Sequence, residues 1–336
     1  MNVIFTCSGR RNYLISYFKS VLGREVTTIA LDSQASATAL QVADIAIVVP
    51  EISSDDYIIE LKKIVTKYKA DAIIPLNDLE FPLLLEHKNS LEELGAKVFI
   101  SNEETVNIAL DKWESYKFFK SEGFNTPKTF LKIENAISSI ETNEITFPLI
   151  VKPRWGSASI DIHVVNSIEE LNLAYKLQKF KRSSLIFETL NKDNSEDFIL
   201  IQEFIKGQEY GMDILNDLEG NFVDVFVRKK IAMRSGETDK AITIDNKSFK
   251  EVGGKLAKVT KHIGVIDCDF FVVNDQIYIL EINPRFGGGY PFTHEAGVNI
   301  PAIYISWLSG NSDIKKYLNY NTGQEFAKYS EIMKLE

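Results

Sequence analysis

The sequence has very few of the residues on which disulfide frameworks and zinc sites depend. Among its 336 residues there are two cysteines, Cys7 and Cys268, and four histidines. Each cysteine lies inside an apolar, strand-like run, which favours a small core residue over a redox or metal-ligating one. The sequence therefore supports neither a disulfide framework nor a cysteine metal site.

Long apolar runs and an excess of positive charge are missing as well. No stretch approaches the roughly 18 uninterrupted apolar residues that cross a bilayer, and the first residues show no secretory-signal pattern. The chain has 38 Lys and Arg against 47 Asp and Glu, a net charge of -9, which repels the nucleic-acid backbone. We therefore expect a cytoplasmic protein with no membrane or nucleic-acid partner, whose local basic clusters suit small anions such as nucleotide phosphates.

The first 100 or so residues alternate short apolar runs with helical patterns, which predicts a parallel, doubly wound sheet. The chain is too long for one compact core, so two or three units are expected. The expected strands are Val3–Thr6, Val26–Leu31, Ile45–Val49, Ala72–Pro75 and Val98–Ile100, and the expected helices are Tyr13–Leu22, Tyr57–Tyr68 and Phe81–Leu94.

Beyond this sheet, the pattern predicts one helix over Glu103–Glu122 and then an α+β unit with helices near Ile168–Leu177 and Lys250–His262. The turn after the first strand carries Arg10 and Arg11 at a helix start, which is either an anion site or a tight turn with exposed arginines. Its single glycine is not a G-x-G-x-x-G fingerprint, which disfavours an NAD-dependent oxidoreductase.

A hairpin near the C-terminal end is the strongest local signal. Two apolar runs, Ile266–Val273 and Ile277–Arg285, flank the polar segment Asn274–Gln276. If these three polar residues form the loop, Val273 opposes Ile277 in an antiparallel pair. The pattern therefore predicts a three-residue hairpin loop between two largely buried strands.

That hairpin would bring four polar side chains together. Asp269 would oppose Glu281 and Asp267 would oppose Asn283, all on one face because side chains alternate with period two. Facing Cβ atoms lie about 4.5–5.5 Å apart, so two such carboxylates can hold a cation between them. Hard oxygen ligands favour Mg²⁺ or Mn²⁺, typically shared with nucleotide phosphates. A solvated sheet face is the alternative interpretation.

A strand–loop–strand segment predicts a second anion-binding feature. The strand Phe147–Pro153 is followed by the small-residue loop Arg154–Ser159 and the strand Ile160–Val165. Such a loop can fold N–H groups and the Ser157 hydroxyl over a polyphosphate, while Lys152 adds a point charge. There is no P-loop motif, and an ordinary turn is the alternative.

Two weaker segments follow. In Leu200–Asp213 a predicted strand runs into a glycine-bearing connection, and the strand end can offer main-chain groups to an adenine edge. Glu209, beyond the glycine, could accept hydrogen bonds from a ribose. A cluster of cationic residues begins at Arg228. Because side chains alternate along a strand, Arg228 and Lys230 would lie on one strand face, where they could neutralise a transferring phosphoryl group. Arg234 is a candidate for holding an acidic substrate. A solvated charge run is the alternative.

Together and in this order, these segments resemble the ATP-grasp superfamily, and the whole chain is similar to carbamoyl-phosphate-synthase large-subunit-like single-unit ATP-grasp proteins. The most specific match is Glu281–Pro291, EINPRFGGGYP, which resembles the family's metal-binding E-x-N-P-R strand and the glycine-rich segment after it. The resemblance implies a Rossmann-like N-terminal domain over residues 1–110, then two ATP-grasp subdomains over residues 111–205 and 206–325.

The resemblance also implies roles for matching residues. Asp269, Glu281 and Asn283 match metal ligands, and Arg285 matches the arginine that stabilises the phosphoryl group or the acyl phosphate. With Lys230 and Arg234, Arg285 makes up the expected catalytic set. The residues expected to bind ATP, with Ser157 taken from the loop pattern, are Lys112, Lys152, Ser157, Gln202, Glu203, Phe204, Ile205 and Glu209.

The function that follows is an ATP- and Mg²⁺-dependent (or Mn²⁺-dependent) ligase. It would activate a small-molecule carboxylate as an acyl phosphate, which an amine or a similar nucleophile then captures. Proteins of this kind commonly form dimers, so a homodimer is a candidate assembly. The alternative is a catalytically silent ATP-binding regulatory module, against which the complete set of metal-ligand positions argues.

Overall fold

The N-terminal part of the molecule is a five-stranded parallel sheet with the strand order β3-β2-β1-β4-β5. The structure is a computed structural model that describes residues 1–21, 26–156, 160–181 and 197–335. The strands are β1 (Asn2–Thr6), β2 (Thr27–Asp32), β3 (Ile45–Val48), β4 (Ala72–Pro75) and β5 (Lys97–Val98). The helices are α1 (Asn12–Lys19), α2 (Thr38–Val42), α3 (Asp56–Tyr68) and α4 (Phe81–Glu92), with a 3₁₀ turn at Asp78–Glu80. The predicted doubly wound sheet is confirmed; only α2 was missed, because five residues are too few to show a helical period.

A four-stranded antiparallel sheet follows, with the order β6-β9-β7-β8. Its elements are β6 (Thr129–Phe130), β7 (Leu149–Pro153), β8 (His163–Val165) and β9 (Ile199–Glu203), with helices α5 (Glu103–Leu110), α6 (Lys112–Ser121), α7 (Ile133–Glu141) and α8 (Ile168–Phe180). The prediction of one helix over Glu103–Glu122 is wrong, because the helix is interrupted at Asp111. The Asp111 carboxylate accepts hydrogen bonds from the N–H groups of Trp113 and Glu114 and so caps a new helix.

The largest sheet has six antiparallel strands in the order β14-β13-β10-β11-β12-β15. Its strands are β10 (Gln208–Asn216), β11 (Phe222–Arg234), β12 (Glu237–Ile244), β13 (Gly264–Val273), β14 (Gln276–Asn283) and β15 (Glu325–Ala327). The accompanying helices are α9 (Lys250–Thr260), α10 (Tyr290–Glu295) and α11 (Ile300–Leu308), with a 3₁₀ turn at Lys315–Tyr317. The predicted combination of an α/β and an α+β unit is therefore confirmed. In the described ranges, no helix is both long and apolar enough to span a bilayer.

One hydrophobic core joins the parallel sheet to the segment between β14 and β15 of the large sheet. Phe18 of α1 packs against Phe286 at a ring-centroid distance of 6.1 Å, and Phe99 stacks on Tyr304 of α11 at 4.3 Å. All four aromatic side chains are buried in the same cluster. This shared core fixes the parallel sheet relative to the segment that begins just after β14.

The β13–β14 turn differs from the sequence prediction. It contains two residues, Asn274–Asp275, with φ angles of 48° and 63°, as in the type I′ turn that suits the twist of a hairpin. Val273 therefore pairs with Gln276, and the predicted opposition of Val273 and Ile277 is wrong. Asparagine and aspartate tolerate this left-handed backbone better than most side chains do.

Candidate nucleotide and metal site

A β-bulge in the hairpin restores the predicted pairing of the two acids. Phe270 lies opposite Ile279, but Asp269 lies opposite Glu281, so Leu280 is the extra residue on β14. The shorter turn and the additional residue cancel each other. Asp269 and Glu281 are thereby neighbours across the sheet.

The donor set at this end of the hairpin is two carboxylates and an amide. Asp267 lies opposite Asn283, two residues beyond the Asp269–Glu281 pair. Across residues 1–21, 26–156, 160–181 and 197–335, no group of three or more His, Cys, Asp or Glu side chains is arranged to hold a metal. The set formed by Asp269, Glu281 and Asn283 nevertheless fits Mg²⁺, which is commonly held by one or two carboxylates together with water and substrate phosphates.

Two adjoining cavities lie beside the Asp269–Glu281 pair, and both have Glu281 in their walls. The first, of about 110 Å³, has Lys112 and Lys152 together with Glu209, Asp269 and Glu281 in its wall. Its other lining residues are Pro153, Trp155, Gly156, Ile160, Ile162, Met233, Gly236 and Leu280. The second, of about 30 Å³, shares Lys112, Gly156 and Glu281 with the first and adds Asn283, Asp78, Leu79, Ala109 and Leu110. A cleft with two cations and a carboxylate pair suits a metal-bound polyphosphate, and its apolar side suits a flat base.

Lys152 is almost completely buried in the wall of the first cavity, with 5% of its surface exposed. Its Nζ donates to Gln202 Oε1 at 2.8 Å, and Gln202 Nε2 donates to Thr129 Oγ1 at 2.9 Å. Burial lowers the pKa of Lys152 to about 8, with a further decrease from Lys112 and an opposing effect from Glu281. An anion between the two lysines would remove that repulsion. Gln202, predicted to face adenine, accepts this hydrogen bond from Lys152.

Lys112 is placed by a side-chain contact that the sequence did not reveal. The Asp111 carboxylate accepts a fork of hydrogen bonds from Arg154, with Nε–Oδ1 at 2.8 Å and Nη2–Oδ2 at 2.6 Å. The same carboxylate caps α6, which begins at Lys112. The Lys112 ammonium donates to the Gly156 carbonyl, and the Arg154 guanidinium lies 4.6 Å from the Trp155 ring centroid. This network ties the first helical residue of α6 to the loop after β7.

Lys230 bridges two acids of the first cavity. Its Nζ lies 2.7 Å from Glu209 Oε1 and 2.8 Å from Asp269 Oδ1, and 4% of its side chain is exposed. Burial alone would lower the pKa of Lys230, but the two carboxylates raise it well above its ordinary value. Burial raises the pKa of Asp269 to about 7; Lys230 opposes this rise, and Asp267 and Glu281 add to it. Lys230 therefore balances the charges of Glu209 and Asp269.

Arg228 lies beneath the cleft and not in it, contrary to the prediction that it faces a phosphoryl group. Its Nη1 lies 2.7 Å from Asp213 Oδ2 and its Nη2 lies 2.5 Å from Asp267 Oδ1, with 1% of the side chain exposed. The glycine-rich segment packs directly on this triad. A Cβ on Gly287 would lie 2.2 Å from Asp267 Cγ, and one on Gly289 would lie 2.1 Å from Arg228 Nε. Only glycine allows this approach.

Several predicted residues do not line either cavity. Glu203, Phe204 and Ile205 line neither of them, and the Phe204 side chain is 39% exposed. Arg234 is not brought to the cleft either; it is 66% exposed and forms a 3.3 Å ion pair with Asp239. Ser157 lies outside the described residues.

Arg285 contacts the parallel sheet. Its Nη2 donates to Asp78 Oδ2 at 2.6 Å and its Nη1 to the Phe286 carbonyl at 3.1 Å. The same carbonyl accepts a hydrogen bond from Arg11 Nη1 at 2.9 Å, so the Arg11 guanidinium is bound within the protein. Asp78 was not singled out from the sequence. Its position just past the carboxyl end of β4 was the available signal, because ligands of open α/β sheets bind at that edge.

Sequence comparison finds carbamoyl phosphate synthases among the relatives. The carbamoyl-phosphate synthase of Methanobrevibacter smithii is 25% identical over 314 residues, which cover 86% of this chain and 76% of the relative. The carbamoyl phosphate synthase large chain of Campylobacter jejuni is 22% identical over 271 residues, which cover 76% of this chain but 23% of the relative. The chain thus spans about a quarter of such large chains.

Structure comparison and family models agree with the observed architecture. The biotin carboxylase domain of Hydrogenobacter thermophilus 2-oxoglutarate carboxylase, crystallised as a dimer with MgADP, ADP and bicarbonate, superposes with a TM-score of 0.70 at 19% identity, covering 96% of this chain and 73% of that one. Residues 3–99 match the PylC-like, N-terminal domain. Residues 109–289, more than half of the chain, match the ATP-grasp domain. The chain belongs to the ATP-grasp family.

Proposed function

We propose that this protein is an ATP-dependent ligase that activates a carboxylate as an acyl phosphate and joins it to an amine or a similar nucleophile. The observation that carries the proposal is the first cavity, in which Lys112 and Lys152 face the Asp269–Glu281 pair. That arrangement suits charge neutralisation around a metal-bound triphosphate, which is the main demand of phosphoryl transfer. Family membership and the superposition with a MgADP-binding relative support it.

Each part of the cavity wall has a role in the proposed reaction. Asp269, Glu281 and Asn283 would hold Mg²⁺, or Mn²⁺, whose bound nucleotide supplies the phosphoryl group that activates the carboxylate. Lys112 and Lys152 balance the charge of the phosphates from the opposite wall. A ribose hydroxyl can donate to Glu209, and the neighbouring backbone at residues 203–205 remains the proposed contact for the adenine edge.

Two cations are proposed to act on the reacting groups. Lys230 already lies 2.8 Å from Asp269, so it would stay near the metal ligands when the Asp269 carboxylate turns to a cation. Arg285 follows the last metal-ligand position by two residues, and its buried Nε has no hydrogen-bond partner among the described residues. In the proposed second step, the amine nitrogen forms a bond to the acyl carbon, and the C–O bond to phosphate breaks with its electron pair leaving on phosphate.

The remaining parts of the proposal concern organisation. We keep residues 1–110, 111–205 and 206–325 as the working division into an N-terminal domain and two ATP-grasp subdomains. Small-molecule carboxylates and amines are the proposed partners. A homodimer and a cytoplasmic location stay predictions.

The test is a mass-spectrometric screen for ATP-dependent condensation products. The protein is incubated with Mg·ATP and pooled carboxylates and amines, while ADP and phosphate are followed. Glu281→Gln should form no product, whereas the matched Glu251→Gln, at an exposed position of α9, should behave like the wild type. Tight ATP binding without substrate-stimulated ADP release in any pool would contradict the ligase and favour a silent ATP-binding module.

A further inference from the structure

The Arg285 guanidinium is fixed at both terminal nitrogens. Nη2 is bound to Asp78 and Nη1 to the Phe286 carbonyl. The inner nitrogen, Nε, is buried and has no hydrogen-bond partner within residues 1–21, 26–156, 160–181 and 197–335. A buried donor without a partner costs on the order of 1–3 kcal/mol. Among the described residues, Nε is therefore the one guanidinium nitrogen that has no partner, and an acceptor that reaches it would remove this cost.

Asp78 comes from the other side of the cleft, 207 positions away in the sequence. It begins the 3₁₀ turn past β4, whose backbone is held by a hydrogen bond from Leu79 N to the Asn77 side chain at 3.1 Å. Asp78 lines the second cavity together with Glu281 and Asn283. The parallel sheet thus supplies an acid to the wall that also contains proposed metal ligands.

The contact is anchored on both of its sides. Phe286, whose carbonyl receives Arg285 and Arg11, packs against Phe18 at 6.1 Å and Tyr304 at 5.3 Å between ring centroids. The Asp78–Arg285 pair is itself mostly buried, with 16% and 11% of the side chains exposed. The backbone next to Arg285 cannot move far without disturbing this packed core, and the backbone next to Asp78 is held by the hydrogen bond from Leu79 N to Asn77.

We infer that Asp78 is a positioning residue, which holds Arg285 so that its Nε–H points at an anionic oxygen of the transferring phosphoryl group or of the acyl phosphate. The inference rests on the proposed function and assigns part of that chemistry to the N-terminal domain. Without the Asp78 charge, the guanidinium keeps only the carbonyl contact and the attraction of Asp267. A displacement of about 1 Å at a reacting centre can cost on the order of 100-fold in rate.

The test uses orthovanadate, an oxyanion that imitates a transferring phosphoryl group, as a probe of Arg285. Mg·ADP binding is measured by calorimetry with and without orthovanadate for the wild type and for Asp78→Asn. We expect Mg·ADP affinity to stay within about threefold, because Asp78 does not line the first cavity, whereas the tightening by orthovanadate falls about 10- to 100-fold. The control Glu92→Gln removes an acid of the same domain that pairs with Lys97 at 3.1 Å and should change neither value.

Further variants separate positioning from simple loss of structure. Arg285→Gln should lose the orthovanadate effect, and the double variant with Asp78→Asn should lose no more. Asp78→Glu, which keeps the charge and shifts it by one methylene, should retain part of the orthovanadate effect. It replaces Asp78→Asn in the test if Asp78→Asn does not fold. With an identified acid and amine, Asp78→Asn should lower kcat and leave the KM for ATP within about threefold.

Two results would overturn the inference. The first is that orthovanadate tightens Mg·ADP binding equally in the wild type and in Asp78→Asn. The second is that orthovanadate has no effect on Mg·ADP binding to the wild type, because Arg285 then holds no oxyanion.

Failure of the ligase proposal can be distinguished from failure of this inference. If the orthovanadate effect depends on Asp78 but no condensation product forms in any pool, the assignment of Asp78 stands for oxyanion binding and the proposed reaction does not.

Discussion

Raising the pH should weaken ATP binding through Lys152. The ammonium is buried against Gln202 and close enough to Lys112 to be repelled, and these effects lower its pKa to about 8. A bound triphosphate favours the charged form and raises that pKa. Affinity that depends on the Lys152 charge is therefore fully present well below pH 8 and is lost as the pH rises through about 8.

The magnitude follows from the charged fraction of Lys152. With a pKa of about 8, about three quarters of the protein carries the charge at pH 7.5 and about 3% carries it at pH 9.5. If only the charged form binds, the Kd for Mg·ATP should rise about 25-fold over this range, equivalent to about 1.9 kcal/mol. The lower limit lies above the pKa of Asp269, which is about 7, so most of the Asp269 carboxylate is ionised throughout the range.

Calorimetry of Mg·ATP binding at pH 7.5, 8.5 and 9.5 measures the effect. Lys152→Arg is the matched control, because a guanidinium remains charged throughout this range. Its Kd can differ from that of the wild type but should stay flat with pH. A flat Kd in the wild type, or an equal rise in Lys152→Arg, would refute the assignment of the titration to Lys152.

Two further predictions concern stability. Burial raises the pKa of the fully buried Glu80 from 4.5 to about 7, so the folded protein binds the extra proton and its stability should fall by up to about 3 kcal/mol between pH 4.5 and pH 8. Urea unfolding of Glu80→Gln should show a pH slope smaller by this amount, and an unchanged slope would contradict the assignment. Gly289→Ala places a Cβ 2.1 Å from Arg228 Nε and should destabilise the protein by about 1–3 kcal/mol. Gly254→Ala, whose Cβ would meet nothing closer than 3.6 Å, should be neutral or slightly stabilising in the same assay; equal losses would disprove the steric explanation.

The sequence by itself determined the features that depend on local periodicity. Alternating apolar runs and helical patterns were enough to predict the parallel sheet, and strand β4 begins and ends as expected at Ala72–Pro75. The opposition of Asp269 and Glu281 also follows from period two along two short strands. The length of the turn could not be predicted from this periodicity. A two-residue turn with a bulge at Leu280 and a three-residue turn without a bulge give the same pairing of Asp269 with Glu281.

Tertiary structure alone decided which charges meet. Asp78 and Arg285 are 207 positions apart, and their contact depends on how the parallel sheet packs against the large antiparallel sheet. Arg228 and Lys230 share one strand face in the sequence pattern, yet one is buried against two acids beneath the site and the other lies at the cleft. A strand pattern gives the side on which a residue lies but not what covers that side, because the covering groups come from distant segments through packing of the whole chain.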